Sequence, residues 1–264
     1  MPSPTFREVS VNRAWSLTPN MQRVELVGES LLEFPDGLDG GYIKLTFDQQ
    51  GQPMDDPAAL EALGWQQAKL RTYTIRRFDR ARQMITVDFV LHGDHGEPGP
   101  ASGWASRCQP GDRILIAGPG PARRVGSKPA WCFIAGDMTA LPAISANLEQ
   151  LPEDSRGYAV IEINHQDDRQ ALEKPAGVEL IWVVKSDTEN LESRVRELPW
   201  LEDGAPAVWV ACEFSTMRRL RQYFSPDRGI ERRQRYVSSY WREGRSEDQH
   251  KVDKQADAKA AGEA

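Results

Sequence analysis

Apolar and polar residues alternate over short runs in the first half of the chain. Residues 21–27, 42–47, 69–77 and 84–91 each read as a strand of period two, separated by clusters of Gly, Pro and Asp. Residues 50–63 form a polar stretch with a short helix predicted over 56–63. The turn signal Gln109-Pro110-Gly111-Asp112 leads into a closing strand at 112–117. Six or so short strands of this kind predict a small antiparallel barrel. Gly118-Pro119-Gly120-Pro121 interrupts the pattern and marks the predicted domain boundary. Beyond it, apolar runs at 130–135, 158–163, 178–184, 207–212 and 235–240 alternate with helical stretches at 141–151, 190–198 and 215–223. That alternation predicts a parallel sheet covered by helices. The expected fold has two domains: an N-terminal antiparallel β-barrel over 1–120, then a C-terminal α/β domain with a parallel sheet over 121–241. Residues 242–264 are polar, and their composition favours a solvated tail over a helix that packs back.

The bulk numbers narrow the function classes. A chain of 264 residues with 39% hydrophobic and 27% charged content suits a globular protein. A net charge of −6 gives no support for nucleic-acid binding. No apolar run approaches the roughly 20 residues needed to cross a bilayer, and the N-terminus lacks the apolar stretch of a secretory signal. A cytoplasmic protein with no membrane partner is expected, and a monomer. Cys108, Cys132 and Cys212 are odd in number and far apart, so no disulfide framework, zinc knuckle or iron–sulfur cluster is indicated. Cys132 and Cys212 fall inside apolar runs, where an inert buried thiol is expected. His92 and His95 share a Gly-rich loop, but no third ligand lies near them, so no metal site is expected. Electron transfer by this chain therefore needs an organic cofactor.

The most informative stretch is Arg71-Thr72-Tyr73-Thr74-Ile75-Arg76. In an extended strand Arg71 and Tyr73 share a face, and Thr74 points the other way unless the strand bends or bulges. A planar Arg fork suits a pyrophosphate, a Tyr face suits a flat ring, and a Thr hydroxyl can bond a ring nitrogen. Together they fit a flavin dinucleotide. The plainer alternative is an amphipathic strand with exposed arginines.

Two further loops carry candidate chemistry. The glycines of loop 92–105 allow close backbone approach to a ligand, and Ala101 and Ser102 can open a short helix whose N–H groups face a phosphate. The alternative is a surface loop whose Trp104 plugs the barrel end. Ala135-Gly136-Asp137-Met138-Thr139-Ala140-Leu141-Pro142 follows an apolar strand and opens a helix, the place where α/β sheets bind ligands. There Gly136 can turn tightly and Thr139 can cap the helix; simple capping is the stronger alternative to a ligand role. Ala211-Cys212-Glu213-Phe214-Ser215 has the same strand–turn–helix form.

Taken in order, Arg71-Thr72-Tyr73-Thr74-Ile75-Arg76, Val87-Asp88-Phe89-Val90-Leu91-His92-Gly93, Gly99-Pro100-Ala101-Ser102 with Trp104-Ala105, Gly136-Asp137-Met138-Thr139-Ala140-Leu141-Pro142-Ala143, and Tyr240-Trp241-Arg242 with Gly244 resemble the siderophore-interacting proteins. These are FAD-containing ferric-siderophore reductases of the ferredoxin-reductase-like flavoproteins, and the resemblance spans about residues 5 to 245. It implies a flavin-binding barrel and a nicotinamide-nucleotide-type α/β domain. By position it implies that Arg71 holds the FAD pyrophosphate, Tyr73 stacks on the isoalloxazine and Thr74 bonds near its reactive nitrogen. Asp88, Val90 and His92 would line the ribityl and adenosine side, and Ala101 and Ser102 the phosphates. Thr139 would approach the flavin from the second domain. Arg76, Trp104 and Trp241 complete the implied cofactor set. Loop 92–104 is longer than usual for the family, and Gly103 stands where an Arg is common.

The expected function is therefore FAD-dependent reduction of ferric siderophores, with no side chain acting as acid, base or nucleophile. NADH or NADPH is the simple electron donor, and a reduced ferredoxin is the rival. A non-enzymatic ferric-siderophore carrier and a general flavin or quinone reductase are the alternatives. Residues 218–245 hold nine arginines against Asp227, Glu231 and Glu243, a patch suited either to an anionic ligand or to a solvated face. Lys44 on a barrel strand, and Lys251, Lys254 and Lys259 in the tail, are candidate ligands for an anionic substrate. If the tail is helical, Lys251 and Lys254 share a face.

Overall fold

A computed structural model describes residues 5–91, 99–126, 130–202 and 204–262. The chain divides into two compact units after Arg123.

The first unit is a closed barrel of β1 (Phe6–Thr18), β2 (Met21–Val27), β3 (Tyr42–Phe47), β4 (Lys69–Asp79), β5 (Met84–Val90) and β6 (Arg113–Gly120), in the order β1-β2-β5-β4-β3-β6 with every neighbour antiparallel. The strand that sequence patterning misses is β1. Only Val9 and Val11 are fully buried along its thirteen residues, so its apolar signal is thin. Its length has a topological use: Phe6–Ser10 pair with β6 and Ser10–Thr18 with β2, so one strand closes the barrel. Closure removes the open edges that a flat sheet would expose. Val9, Val11, Ile43, Leu45, Ile75 and Phe89 fill the interior. The short helix α1 (Pro57–Leu63) starts where the sequence indicates. Asp56 accepts from Ala58 N, Pro57 occupies the first turn, and Gly64 ends the helix at φ 81°. A second helix, α2 (Pro100–Ala105), packs against β5 and β2.

Strand β6 runs on through the Gly-Pro stretch, and Gly120 pairs with Tyr42. The predicted break after residue 120 therefore falls three residues short of the observed division. A glycine-rich run can stay extended when a neighbouring strand takes up its backbone bonds.

The second unit is a five-stranded parallel sheet in the order β11-β10-β7-β8-β9. Its strands are β7 (Cys132–Gly136), β8 (Arg156–Ile163), β9 (Gly177–Val184), β10 (Ala207–Glu213) and β11 (Arg235–Trp241). All five residues of the central strand β7 are buried, as expected for a strand covered on both faces. Helix α3 (Leu141–Leu148) follows β7, α4 (Leu191–Glu197) precedes β10, and α5 (Phe214–Gln222) joins β10 to β11. All eight residues of α3 are buried, including two polar ones that bond locally. Ser145 Oγ donates to Leu141 O at 2.8 Å. Asn147 donates to Ala143 O and accepts from Val125 N, both at 2.9 Å.

Composition favoured a solvated tail after residue 241. The structure corrects this: Glu247–Ala260 form helix α6 behind a Ser246 capping box. His250 is its single buried residue, and Val252 is 67% exposed. Polar contacts dock the helix, which is why apolar patterning does not reveal it. Ser239 Oγ and His250 Nε2 lie 2.8 Å apart, and Lys254 Nζ donates to Ser238 Oγ at 2.6 Å and to Ser239 O at 2.9 Å. Asp257 pairs with Arg218 and Arg221, and Asp253 with Arg242 and Arg245. Among the described residues no helix is long and apolar enough to cross a membrane.

Candidate functional site: a gap beside strand β4 and a carboxylate hub

Residues Lys69–Phe47 through Thr74–Tyr42 of β4 and β3 pair without interruption. Directly opposed residues share a face. Arg71 and Tyr73 therefore lie on the face of Leu45 and Ile43, both fully buried in the barrel, and Thr72 and Thr74 lie on the face of Lys44 and Tyr42. The strand's irregularity comes later, between Ile75 and Arg77, so Thr74 stays on the opposite face from Tyr73.

The ladder between β4 and β5 begins only at Ile75–Val87 and runs to Asp79–Met84. Arg71–Thr74 lie beyond it on β4. On β5, Asp88, Phe89 and Val90 pair with Arg23, Gln22 and Met21 of β2. Two strands adjacent in the barrel thus part company where the motif residues stand. Aromatic rings line the parting. Tyr73 and Phe89 have centroids 4.3 Å apart, and Phe89 meets Trp104 edge-on at 6.0 Å. Tyr73 remains half-buried, while Trp104 is 6% exposed and plugs the core.

Around this gap the implied cofactor residues have definite neighbours. Arg71 is half-buried and donates to Leu70 O at 3.0 Å. Arg76 is half-buried at the strand irregularity. Asp88 is buried and bound by both prongs of Arg23, at 2.6 and 2.8 Å, so Arg23 is a partner that the motif does not reveal. Val90 forms the last β2–β5 pair. Ala101 and Ser102 are buried in the first turn of α2, where Ser102 Oγ donates to Gly99 O at 3.2 Å. His92 lies outside the described residues. Beside Thr74, Tyr42 is 36% exposed with its ring against Gly120; a Cβ there would come within 2.0 Å of the ring. A ring this close explains a glycine at that position better than any turn does.

In the second unit Thr139 and Trp241 are joined by Asp137, to which the motif alone assigns no role. Asp137 Oδ1 accepts from Thr139 Oγ1 at 2.5 Å and Thr139 N at 3.0 Å. Its Oδ2 accepts from Trp241 Nε1 and Glu213 N, each at 2.8 Å. One carboxylate thus ties together the carboxyl ends of β7, β10 and β11. Burial pushes the Asp137 carboxyl up, and the bonds from Thr139, Trp241 and Glu213 pull it down. The expectation that Thr139 caps α3 is corrected: Ala140, whose methyl cannot bond a backbone N–H, is the N-cap, and the Thr139 hydroxyl donates to Asp137 instead. An Asp two residues before a Thr at a strand end was the available signal, since that spacing forms an Asx turn. Gly136 is also needed for a different reason from the one expected. A Cβ there would sit 2.6 Å from Ala211 O and 2.8 Å from Ile144 Cδ1, so close packing demands glycine.

The lysines separate. Lys44 is half-buried on the Thr74 face of the barrel. Lys254 anchors α6 as described, Lys251 pairs with Glu247 and Asp248, and Lys259 is exposed in the last turn of the helix. Cys132 and Cys212 are buried, and burial pushes both thiols up, Cys132 to about 11. The arginine stretch is not opposed only by its sequence neighbours. Asp253, Asp257 and Glu192, distant in sequence, pair with five of its arginines, and Arg228 lies over the Trp200 and Tyr223 rings.

The chain matches the siderophore-interacting FAD-binding domain family over residues 10–123 and the siderophore-interacting protein family over residues 129–244. It belongs to the siderophore-interacting protein family. This family member is 30% identical over 241 residues to the ferric vibriobactin reductase ViuB of Vibrio cholerae, with 88% of each chain covered. It is 26% identical over 243 residues to the NADPH-dependent ferric-chelate reductase of Escherichia coli, covering 89% of this chain and 92% of that one. The crystal structure of the siderophore-interacting protein SipS from Aeromonas hydrophila superposes with a TM-score of 0.81 at 33% identity, covering 98% of this chain and all of the other.

Proposed function

We propose that this siderophore-interacting protein is a cytoplasmic FAD-dependent reductase that releases iron from ferric siderophores, with NADPH or NADH as donor. The parting of β4 from β5 at Arg71–Thr74 carries the reading. A flat cofactor needs an aromatic wall and a cation for its pyrophosphate, and this stretch presents Tyr73 and Arg71 on one face of β4, with Thr74 on the other. The donor set therefore fits FAD. When bound, FAD supplies the redox chemistry, taking electrons in pairs and passing them singly to iron.

The protein's own residues bind and orient. The Arg71 fork holds the pyrophosphate by paired charge-assisted bonds. The Tyr73 ring offers a face already fixed by Phe89, so little side-chain freedom is lost on binding. Thr74 stands with Lys44 on the opposite face of β4, and the first-turn N–H groups of α2 would serve the phosphates. Lys44, on the Thr74 face, attracts an anionic ferric chelate. The chelate releases its iron on reduction because ferrous ion carries less charge and binds hard oxygen ligands more weakly. The named activities of the ferric vibriobactin reductase and the NADPH-dependent ferric-chelate reductase support substrate and donor.

The test is an anaerobic absorption spectrum of the purified protein, followed through addition of NADPH and then a ferric siderophore. Flavin bands that bleach with NADPH and return with the siderophore are the expected result. Bleaching only by reduced ferredoxin would replace the donor. Turnover with quinones and none with ferric chelates would replace the substrate. A protein that binds the ferric chelate but takes up no FAD would make it a carrier and end the reading.

A further inference from the structure

Strand β9 is an outer strand of the parallel sheet. It pairs with β8, and among the described residues no strand lies on its other side. We propose that this edge pairs antiparallel with β9 of a second copy of the chain, about a two-fold axis at Trp182.

The backbone is the first argument. Lys185 N donates to Ile163 O of β8 at 2.9 Å. Backbone groups of successive strand residues turn to opposite sides, so the odd-numbered residues face β8 and the even-numbered ones face the open edge. Two of the even-numbered residues are closed off within the chain. Val178 N donates to Pro175 O at 3.1 Å, and Ser186 N donates to Glu189 O at 2.9 Å. Between them lie Leu180, Trp182 and Val184, spaced evenly about Trp182. A second β9 running the other way sets Trp182 against its own counterpart and Leu180 against Val184 of the second copy. All of these residues turn their backbone groups outward, so each such pair can exchange both bonds, as an antiparallel ladder requires.

Side chains are the second argument. Leu180, Trp182 and Val184 share a face, and each is only half-buried, whereas Val178, Ile181 and Val183 are buried. In this register the half-buried row meets its own copy, apolar against apolar. On the opposite face Ile181 meets Val183 of the second copy, and beyond them Glu179 meets Lys185 of the second copy. Both charged residues are exposed. Within their own chain Glu179 acts on the Tyr158 hydroxyl and Lys185 on the Glu162 carboxyl. The two-fold repeats the Glu–Lys pair at each end of the ladder.

The same residues exclude neighbouring registers. Moving the axis to Ile181 or Leu180 sets Glu179 against Val183 or Ile181. Moving it to Val183 or Val184 sets Lys185 against Ile181 or Val183. Each shift opposes a charge to a buried apolar residue, so the charges at the strand ends confine an otherwise open edge to one pairing. A single strand pair is smaller than a standard interface of about 1,200 Å² or more, so the dimer is weak and forms as concentration rises.

The experiment is sedimentation equilibrium of the full-length protein at rising concentration and low salt. A monomer–dimer equilibrium is expected. Glu179→Lys and Lys185→Glu should each weaken it about tenfold, because each sets like charges opposite one another at both ends. Glu179→Lys/Lys185→Glu restores opposite charges and should dimerise within about threefold of the wild type. Leu180→Pro removes an outward N–H but none that faces β8, so it should abolish the dimer and leave the far-UV circular dichroism spectrum unchanged. A monomer at every concentration overturns the proposal and leaves the edge to solvent or to a strand of another protein. A dimer that ignores all four variants overturns it in favour of another surface. A double variant as weak as the singles overturns the register.

Discussion

Trp241 Nε1 donates to Asp137 Oδ2 at 2.8 Å, joining the end of the last strand of the parallel sheet to the end of its central strand. The bond makes Asp137 the common anchor of Thr139 and Trp241. Asp137→Asn replaces one accepting oxygen with an NH₂ group that faces donors. Leaving buried donors unmet should lower stability by about 2 kcal/mol. Trp241→Phe removes a single donor and should cost about 1 kcal/mol. Urea denaturation of both singles and the double tests the coupling: a double variant clearly less destabilised than the sum of the singles shows that the two act as one unit.

Tyr73→Ala removes the wall of the gap and its contact with Phe89. The variant should purify with little flavin and bind added FAD at least about tenfold more weakly, since aromatic stacking is worth about 0.5–1.5 kcal/mol beyond the area it buries. Tyr73→Phe should retain the cofactor. Flavin content by absorbance, before and after dialysis against FAD, separates the two. A fully loaded Tyr73→Ala would remove the residue from the site.

Gly136→Ala should destabilise the second unit by about 1–3 kcal/mol, the range for overpacking a filled core. The nearest obstacle is the backbone oxygen of Ala211, which cannot turn aside as a side chain would. Gly126 is exposed, and a Cβ there would meet only Ala207 Cβ at 4.0 Å. Gly126→Ala is therefore the control, with a thermal midpoint close to that of the wild type.

His250 docks α6 through Ser239, and burial first, then the Lys254 charge, lower its pKa below the ordinary histidine value of 6.5. Its folded-state pKa is thus below the unfolded one, so the folded state binds fewer protons across the interval between them. The stability it contributes is present above 6.5 and is lost as pH falls through that interval. Denaturation midpoints measured from pH 7.5 down to 5.5 should decline, and His250→Gln should flatten the part of the decline that His250 causes.

The sequence by itself determined the two-part architecture, because alternation of period two and the strand–helix rhythm are local consequences of how side chains project from the backbone. It also placed Arg71 and Tyr73 on one face of a strand and Thr74 on the other, since strand spacing fixes how side chains alternate. Tertiary structure alone decided the rest. The length of β1 follows from its two neighbours, a relationship that no local window contains. The gap beside Arg71–Thr74 exists because β5 stays with β2 while β4 stays with β3. Asp137 acquired its importance from three strand ends brought together by the parallel sheet. The arginine stretch found its counter-ions on α4 and α6, and α6 folds where composition favoured a solvated tail because ion pairs and hydrogen bonds, which leave no hydrophobic period, hold it in place.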